Sequence, residues 1–412
     1  MTGLMGRVST LMRSGAGIAI AMGIMNVGSF GFNFVALALL GVAEYSGVAV
    51  MMGLLLVLSV ASLGLQATAA RRISSDPEHV AQIEAGILRI TYRMAFGLGA
   101  LLLLLTPVIN RVLALDDMAL AALAGVAIVP MTLVGGYAGI LQGERRWLPL
   151  GMLYVASGVP RLLVAGVMLA VAPSEFVAIL AVALAAITPV LVGVYALRHD
   201  RVPHQHTGTH AGRAIARETL HNSQVLLAFL ALSNVDLIVA RNVLGAHDSG
   251  LYAGGLVVTK AMMFLPQFVV VVAFPAMASA AERTRALVRS LSLITALGLV
   301  CAVGAWVVSP LAEPTKYAEI GGQLWVFALL GTTLAMIQLL VYSILARQGE
   351  RSASLVWIAL VVLVAGGLTT SSLETLRNWV LLVDGVLLVV LVGLAYRLLR
   401  RDARQPESTT VG

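Results

Sequence analysis

Long apolar segments, separated by short polar loops, occupy almost the whole chain and leave little room for a soluble fold. The sequence has 412 residues, of which 59% are hydrophobic and 11% are charged, whereas soluble domains carry about 25% charged residues. A helix needs about 20 mostly apolar residues to cross a bilayer. The sequence therefore predicts an all-α polytopic membrane protein with about 12 transmembrane helices. The predicted spans are roughly 15–40, 46–69, 88–109, 118–141, 147–171, 175–197, 221–242, 249–275, 287–310, 321–345, 353–370 and 377–397.

Basic residues collect in alternate loops, which predicts how the chain is oriented in the membrane. With the N-terminus inside, the inner segments hold 21 of the 27 Lys and Arg residues and the outer segments hold four. Cytoplasmic loops of membrane proteins carry such an excess of positive charge. We therefore predict that both termini are cytoplasmic. The net charge of +7 then reflects orientation and contact with anionic lipid, and not nucleic-acid binding.

Two sequence matches indicate an internal duplication. "QGER" occurs at 142–145 and again at 348–351, and "NFVALALLGVAEYSG" at 33–47 resembles "DLIVARNVLGAHDSG" at 236–250. Each match joins spans that are six apart, so the two halves have the same orientation, as in transporters built from parallel repeats. We predict two six-helix bundles with a linker and a tail: an N-terminal bundle at 1–200, a cytoplasmic linker at 201–220, a C-terminal bundle at 221–400 and a cytoplasmic tail at 401–412.

Charged side chains interrupt the apolar runs of the seventh and eighth spans. Asp236 and Arg241 lie in the outer half of the seventh span. Lys260 lies about 16 Å deep in the eighth, at 1.5 Å per residue, where a charge costs about 2.5–3.5 kcal/mol. Either Lys260 forms a structural pair with Asp236, or it lines a watery cavity in which cations meet an anionic ligand. Intramembrane carboxylates also relay protons, so coupling to H+ or Na+ at Asp236 is a further hypothesis.

Other polar residues within spans are candidates for lining the same cavity. A stripe of amides facing lipid would be costly, so the three polar residues of the first span either pack against another helix or line water. The arginine that follows Pro160 either bonds the carbonyls freed by that proline or contacts substrate. The candidates are Asn26, Ser29 and Asn33 on one face of the first span, Arg161 in the fifth, and Gln267 on the face of Lys260 in the eighth.

Two local patterns have structural interpretations. Gly135, Gly139 and Gly143 recur every four residues along the fourth span, and small residues at this spacing let helices approach closely. Asp76-Pro77-Glu78 resembles a helix start, with Asp as N-cap and Pro in the first turn. It predicts a short cytoplasmic helix that leads into the third span.

The sequence contains no motif for enzyme chemistry, a metal or a cofactor. A GxxxxGK[ST] loop is absent, so the chain is not itself an ATP-driven pump, and no Ser/His/Asp cluster or paired carboxylates suggest hydrolysis. The polar linker carries several histidines, but no cysteine accompanies them and the segment has the composition of a solvated loop. We therefore predict no metal site at His199, His204, His206 and His210.

The segment "VDLIVARNVLGAHDSGLYAGGLVVTKAMMFLPQFVVVVAFPAMA" resembles the seventh and eighth spans of polysaccharide flippases. These belong to the multidrug/oligosaccharidyl-lipid/polysaccharide exporter superfamily. The shared pattern is an Asp in span seven, a "GLYA"-like turn, an intramembrane Lys, then "FLP" and "FP", found here at Asp236, 250–253, Lys260, 264–266 and 274–275. "LGLQATAARR" and "GILQGERR" also look like members of this family. The three quoted segments together make up 62 of the 412 residues.

The resemblance implies a V-shaped pair of bundles with a central cavity, in a bacterial plasma membrane. It implies flipping of polyprenyl-diphosphate-linked oligosaccharide to the outer leaflet for surface polysaccharide biosynthesis, with membrane lipids, a polysaccharide polymerase and glycosyltransferases as partners. Twelve spans and a first span without a midspan arginine argue against lipid II as the substrate. The diphosphate would meet Lys260, Arg241 and Arg161, and the sugars would meet Asn26, Ser29 and Asn33.

Two alternatives stay open. One is a multidrug/toxin exporter of the same superfamily, which needs an acidic site for organic cations. The other is a membrane scaffold of a polysaccharide-assembly complex that does not transport. A major-facilitator transporter also has twelve spans, but "AARRISSDPE" stands where that family's loop signature would be.

Overall fold

The computed structural model of the chain describes residues 15–198, 212–263, 283–312, 315–345 and 351–402. Over these ranges the secondary structure is helical, with short turns and no strand. The chain divides into two compact units, Met1–Leu227 and Ala228–Gly412.

The helices before residue 199 form the first unit. Three of the predicted spans are interrupted or extended by a second helix, at Ser59, Leu105 and Ala186. The helices are α1 (Gly15–Leu39), α2 (Val42–Leu58), α3 (Val60–Ser75), α4 (Val80–Leu104), α5 (Thr106–Val112), α6 (Met118–Gly143), α7 (Trp147–Val171), α8 (Glu175–Ala185) and α9 (Ile187–Leu197).

The second unit begins at Ala228, within the helix that starts at Gly212. The helices are α10 (Gly212–Val243), α11 (Ala246–Met262), α12 (Arg283–Val307), α13 (Ala318–Gly321), α14 (Leu324–Leu345), α15 (Arg351–Gly367) and α16 (Leu373–Asp402).

Within the described residues, every predicted span falls on a helix or on two consecutive helices, so the predicted fold class is confirmed. Ten helical segments of the described ranges, two of them made of two consecutive helices, are long and apolar enough to cross a membrane, and Ser354–Gly367 is a shorter apolar helix. The eighth span is described only up to residue 263, and Gln267 lies outside the described residues. The chain is thus a multi-pass membrane protein.

The same pairs of spans pack together in both units, which supports the predicted duplication. In the first unit the fourth span, α6, packs on α3, α4 and α8, and α7 packs on α8 and α9. In the second unit the equivalent tenth span, α14, packs on α11, α12 and α16, and α15 packs on α16. The central helix of each half is therefore the fourth of its six.

The turn between the first two helices of each half is also repeated. Each of these second helices begins after an extended glycine, with φ −65° and ψ 159° at Gly41 and φ −64° and ψ 162° at Gly245. Ser46 Oγ donates to the Ala43 carbonyl at 2.8 Å, and Ser249 Oγ donates to the Ala246 carbonyl at 3.0 Å. These four residues are paired by the sequence match at 33–47 and 236–250.

The three glycines of α6 lie where this helix crosses α3, as predicted. A Cβ atom at Gly135 would collide with Ser62, one at Gly139 with Gln66 and Ala69, and one at Gly143 with Ile73. Ser62 Oγ also donates to the Met131 carbonyl at 2.9 Å across this contact. The small residues therefore allow the two backbones to approach closely.

The predicted helix start at Asp76 is wrong. Asp76 is the C-cap of α3. The next helix, α4, begins at Val80, with His79 as its N-cap. Asp76 Oδ1 instead lies 2.9 Å from His79 Nδ1. This hydrogen bond, with the negative charge of Asp76, raises the pKa of His79 above its usual value. Asp76, which was expected to cap a helix, therefore stabilises the turn between α3 and α4.

The turn between α6 and α7 places an arginine in a left-handed conformation. Arg145 has φ 57°, while the Arg146 amide donates to the Leu141 carbonyl at 2.8 Å and the Arg145 amide donates to the Gln142 carbonyl at 3.1 Å. This pattern ends many helices, usually with glycine at the left-handed position. The conformation costs a residue with a Cβ atom about 1 kcal/mol.

We expect Arg145→Gly to stabilise the protein by about 1 kcal/mol, because glycine adopts this conformation without strain. The measurement is the thermal unfolding midpoint of the purified protein in detergent. Arg145→Ala is the matched control, since alanine removes the same side chain but keeps a Cβ atom in the left-handed conformation. A lower midpoint for Arg145→Gly would show that the arginine side chain contributes more than the strain costs.

Candidate functional site

A buried group of charged side chains lies inside the second unit, between α10, α11 and α16. We call Asp236, Tyr252, Lys260 and Asp384 the charge cluster. Asp236 is 3% exposed, Tyr252 0% and Asp384 1%, and Lys260 is partly buried. Such side chains are rare within spans, where they mark ion or substrate pathways and proton relays.

Lys260 reaches from α11 to the backbone of α10. Its Nζ donates to the Ser233 carbonyl and, at 3.0 Å, to Asn234 Oδ1. The Asn234 amide nitrogen donates in turn to the Leu230 carbonyl at 2.7 Å and to Ser233 Oγ at 3.1 Å. The ammonium group is therefore held by oriented dipoles of α10, and it interacts electrostatically with both Asp236 and Asp384.

Asp236 is tied to the same turn of α10 and to α11. Its Oδ2 accepts from Tyr252 Oη at 3.0 Å, and its Oδ1 accepts from the Leu237 amide at 2.9 Å. In a regular helix the Leu237 amide would donate to the Ser233 carbonyl, the acceptor that Lys260 uses. Lys260 and Asp236 therefore both bind backbone groups of the same turn of α10.

Asp384 brings a second carboxylate to the cluster. It interacts electrostatically with Asp236 and with Lys260. Its Oδ1 is buried and has no hydrogen-bond partner among the residues that the structure describes. A buried polar atom without a partner costs about 1–3 kcal/mol, so this oxygen is a place where a proton or a cation would be stabilised.

The aromatic core behind the cluster fixes Tyr252 and the position of α11. The Tyr252 ring meets Phe327 of α14 edge to face, with centroids 5.7 Å apart, and Thr259 Oγ1 donates to the Phe327 carbonyl at 2.8 Å. Gly255 lies against the Phe327 ring, which leaves no room for a Cβ atom. These contacts hold the tyrosine hydroxyl towards Asp236.

A second polar group lies towards the beginning of α16. Arg377 is 8% exposed, and its guanidinium donates to Gln323 Oε1 and, at 3.0 Å, to Asn378 Oδ1. Gln323 Nε2 donates to Glu374 Oε1 at 3.0 Å. Arg377 is two turns, or about 10 Å, along α16 from Asp384, and it also interacts electrostatically with Tyr252.

Lys260 interacts electrostatically with Asp236 but makes no ion pair with it within the described ranges, so a direct Lys260–Asp236 pair stays a prediction, and Arg241 lies apart from Lys260. Lys260 contacts α10 at Ser233 and Asn234, whereas Arg241 lies in the last turn of that helix. This separation is about 11 Å along the axis at 1.5 Å per residue. The two cations therefore lie at different depths, and a joint diphosphate contact stays a prediction.

The candidate residues of the first unit lie on α1 and α7, which pack on each other. Asn26, Ser29 and Asn33 are partly buried, and Asn33 Nδ2 donates to the Ser29 carbonyl at 3.2 Å within α1. Arg161 is partly buried and makes no hydrogen bond or ion pair with a residue in the described ranges. The structure therefore does not show this arginine bonding the carbonyls freed by Pro160, and its contact with substrate stays a prediction.

Sequence reasoning missed three members of the site. Asp384 was not singled out as a site residue, yet a lone carboxylate within "LLVDGVLLVVL" indicates a buried charge. Tyr252 was noted only as part of the "GLYA" match at 250–253, and Asn234 gave no signal of its own. Their roles depend on contacts between helices that no local pattern specifies.

The arrangement can bind a cation. The charge cluster contains two carboxylates and one amine, so it is one positive charge short of neutrality when all three groups are ionised. Ionised groups are costly in a low-dielectric interior unless they are compensated. A proton or a metal cation at the carboxylates would supply the missing charge.

Solved structures of membrane transporters are similar to this chain over nearly its whole length. A multidrug resistance MATE family transporter of the MOP superfamily, in an inward-facing conformation, matches with a TM-score of 0.77 at 13% identity, covering 93% of this chain and 96% of that one. The eukaryotic MATE transporter AtDTX14 matches with a TM-score of 0.67 at 13% identity, covering 94% and 96%. The chain has the fold of these transporters.

A third similar structure belongs to another transporter of the MOP superfamily. A MOP superfamily transporter from Pyrococcus furiosus, described as having a binding pocket of reverse polarity that suggests a different function, matches with a TM-score of 0.58 at 13% identity, covering 96% of each chain. No protein-family model and no curated protein matches the sequence. The polysaccharide-flippase subfamily therefore stays a prediction, and the substrate must be argued from the site.

Proposed function

We propose that the chain is a secondary transporter that exports amphipathic organic cations by alternating access, coupled to H+ or Na+ at the charge cluster. The observation that carries the proposal is the excess of carboxylate over amine in a buried site. The likeness to multidrug transporters supports it, because it supplies a fold that other proteins use for export. The proposal replaces an anionic substrate, expected from the sequence, with a cationic one.

The bonding of Lys260 is the reason for this change. An anion site needs a cation whose donors and charge are available, but two donors of Lys260 are held by Ser233 and Asn234 and it interacts electrostatically with two carboxylates. An incoming anion would have to displace these interactions. A proton or Na+ instead completes the charge balance, and its release would return the site to a net negative charge.

Asp236→Asn tests the coupling. We expect transport driven by an ion gradient to fall about tenfold or more, because the amide keeps the shape of the carboxylate but cannot bind a proton and carries no charge. The measurement is uptake of ethidium into inverted vesicles or proteoliposomes under an imposed proton gradient, and separately under a sodium gradient.

Asp248→Asn is the matched control, since Asp248 is an exposed carboxylate in the first turn of α11. It should transport like the wild type. Unchanged gradient-driven transport by Asp236→Asn would overturn the coupling role. Failure of the wild type to move any organic cation under either gradient would overturn the substrate.

A second candidate function is the flipping of polyprenyl-diphosphate-linked oligosaccharide. The specific observation in its favour is the intramembrane Lys260, which a cation exporter does not require. This lysine lies in a segment that resembles polysaccharide flippases. It is tested by analysing lipid-linked glycans in cells that lack the protein, with wild type or Lys260→Ala restored. Accumulation on the cytoplasmic leaflet that only the wild type clears would favour the flippase, and no accumulation, without a redundant flippase, would exclude it.

A further inference from the structure

A pair of exposed arginines occurs on the third span of each half of the protein. Arg89 and Arg93 lie four residues apart on α4, the third span, and Arg285 and Arg289 lie four apart on α12, the ninth span. All four side chains are exposed. Residues four apart share a helix face, so each half presents two guanidinium groups side by side.

None of the four guanidinium groups has a hydrogen bond or an ion pair with another residue in the part of the chain that the structure describes. Other arginines of the protein are held: Arg146 donates to the Ala196 carbonyl at 2.8 Å, and Arg377 is bonded to Gln323 and Asn378. Within the described ranges, the donors of both pairs are therefore available to a ligand.

The helix face above each pair is apolar and exposed, as expected of a surface in contact with lipid. On α4 it continues through Phe96, 60% exposed, and Leu104, 77% exposed. On α12 it continues through Leu293, 45% exposed, and Val300, 68% exposed. An arginine at the foot of such a face extends its side chain to the headgroup region while its stem stays on apolar surface.

An exposed alanine lies two turns above the second arginine of each pair, at Ala100 and at Ala296. Seven residues bring it back to the face of the arginines. A small side chain there leaves a shallow depression between larger apolar neighbours, which suits an acyl chain lying along the helix.

We propose that each arginine pair binds the phosphate of an anionic phospholipid, so that each half carries one lipid site. Two arginines whose Cβ atoms lie about 6 Å apart on one helix face can each form paired hydrogen bonds with phosphate oxygens. The positive-inside distribution predicts that both sites lie in the cytoplasmic leaflet, where anionic lipid attracts basic residues. The occupant is a membrane lipid and is independent of the transported substrate.

Native mass spectrometry of the detergent-purified full chain, equilibrated with phosphatidylglycerol or phosphatidylcholine, tests the proposal. We expect the wild type to retain two phosphatidylglycerol molecules in preference to phosphatidylcholine. Arg89→Gln/Arg93→Gln and Arg285→Gln/Arg289→Gln should each lose one, and the fourfold variant should lose both. Loss of two charges near the surface predicts affinity weaker on the order of 30-fold at each site.

Arg111→Gln/Lys316→Gln removes two exposed charges from outer segments and should retain both lipids. Arg89→Lys/Arg93→Lys keeps the charge and should keep the preference, which guards against a misfolded glutamine variant. Undiminished phosphatidylglycerol on the fourfold variant would overturn the proposal, as would equal retention of phosphatidylcholine. Full displacement of the lipid by millimolar inorganic phosphate would overturn the lipid assignment in favour of a free-anion site.

Discussion

Lys260→Met is expected to lower the free energy of unfolding by about 3–5 kcal/mol, because it leaves two buried carboxylates without their cation. Methionine fills nearly the same volume, so the loss is electrostatic and not a packing defect. Asp236 and Asp384 then lie in a poorly solvated interior without a nearby amine. The Ser233 carbonyl and Asn234 Oδ1 also lose the donor that Lys260 supplies. Thermal unfolding of the purified protein in detergent, followed by tryptophan fluorescence, measures the effect.

A double-mutant cycle separates this interaction from general damage. Lys260→Met/Asp236→Asn should be more stable than Lys260→Met alone, since it removes one of the two uncompensated charges. The coupling energy of contacting residues of this kind lies in the range of about 0.5–3 kcal/mol. Lys316→Met, at an exposed position, is the control and should leave stability unchanged. Strictly additive effects of the two substitutions would show that Lys260 and Asp236 do not stabilise each other.

The spans could be predicted from the sequence because hydrophobic length alone decides whether a helix can cross a bilayer. The prediction did not include the breaks that divide some spans into two helices. α4 gives way to α5 after Leu105, and α8 gives way to α9 after Ala186. Pro107 and Pro189 follow these breaks by two or three residues, and each removes an amide from the helix ladder. This signal was present in the sequence, whereas the break at Ser59 has no proline to mark it.

The candidate site could be predicted only in part. Lys260 stands out because a charge in an apolar run is costly, and Asp236 stands out as the carboxylate of the preceding span. The third charge, Asp384, is distant in sequence and joins them only because α16 and α11 pack together. The contact of Lys260 with the Ser233 carbonyl could not be foreseen, since a carbonyl within a helix normally accepts from its own backbone. The preferred ligand changes from an anion to a cation because Asp384 joins the cluster and because Lys260 is bonded to the Ser233 carbonyl.

Gly158→Leu is expected to prevent the first unit from folding stably, because α1 and α7 touch through their backbones at this residue. A Cβ atom at Gly158 would collide with the carbonyl oxygen of Met25, and one at Gly28 would lie 2.6 Å from the Gly158 carbonyl carbon. Neither obstacle is a side chain that can rotate away. Overpacking a close contact costs about 1–3 kcal/mol, so we expect Gly158→Ala to lower the unfolding midpoint and Gly158→Leu to abolish accumulation of folded protein.

The same helix supplies the control for this prediction. Gly166, two turns further along α7, has no atom within 4 Å of the position that a Cβ would take. Gly166→Ala should therefore stabilise the protein by about 0.5–1 kcal/mol, because alanine restricts the unfolded chain and favours the helix. On α1, Gly23→Ala has equally open space, whereas Gly28→Ala meets the α7 backbone. Equal effects of Gly158→Ala and Gly166→Ala on the unfolding midpoint would show that α1 and α7 do not approach as closely as the structure places them. Helix propensity alone would change the midpoint in the same direction at both positions, so it cannot produce the opposite signs expected here.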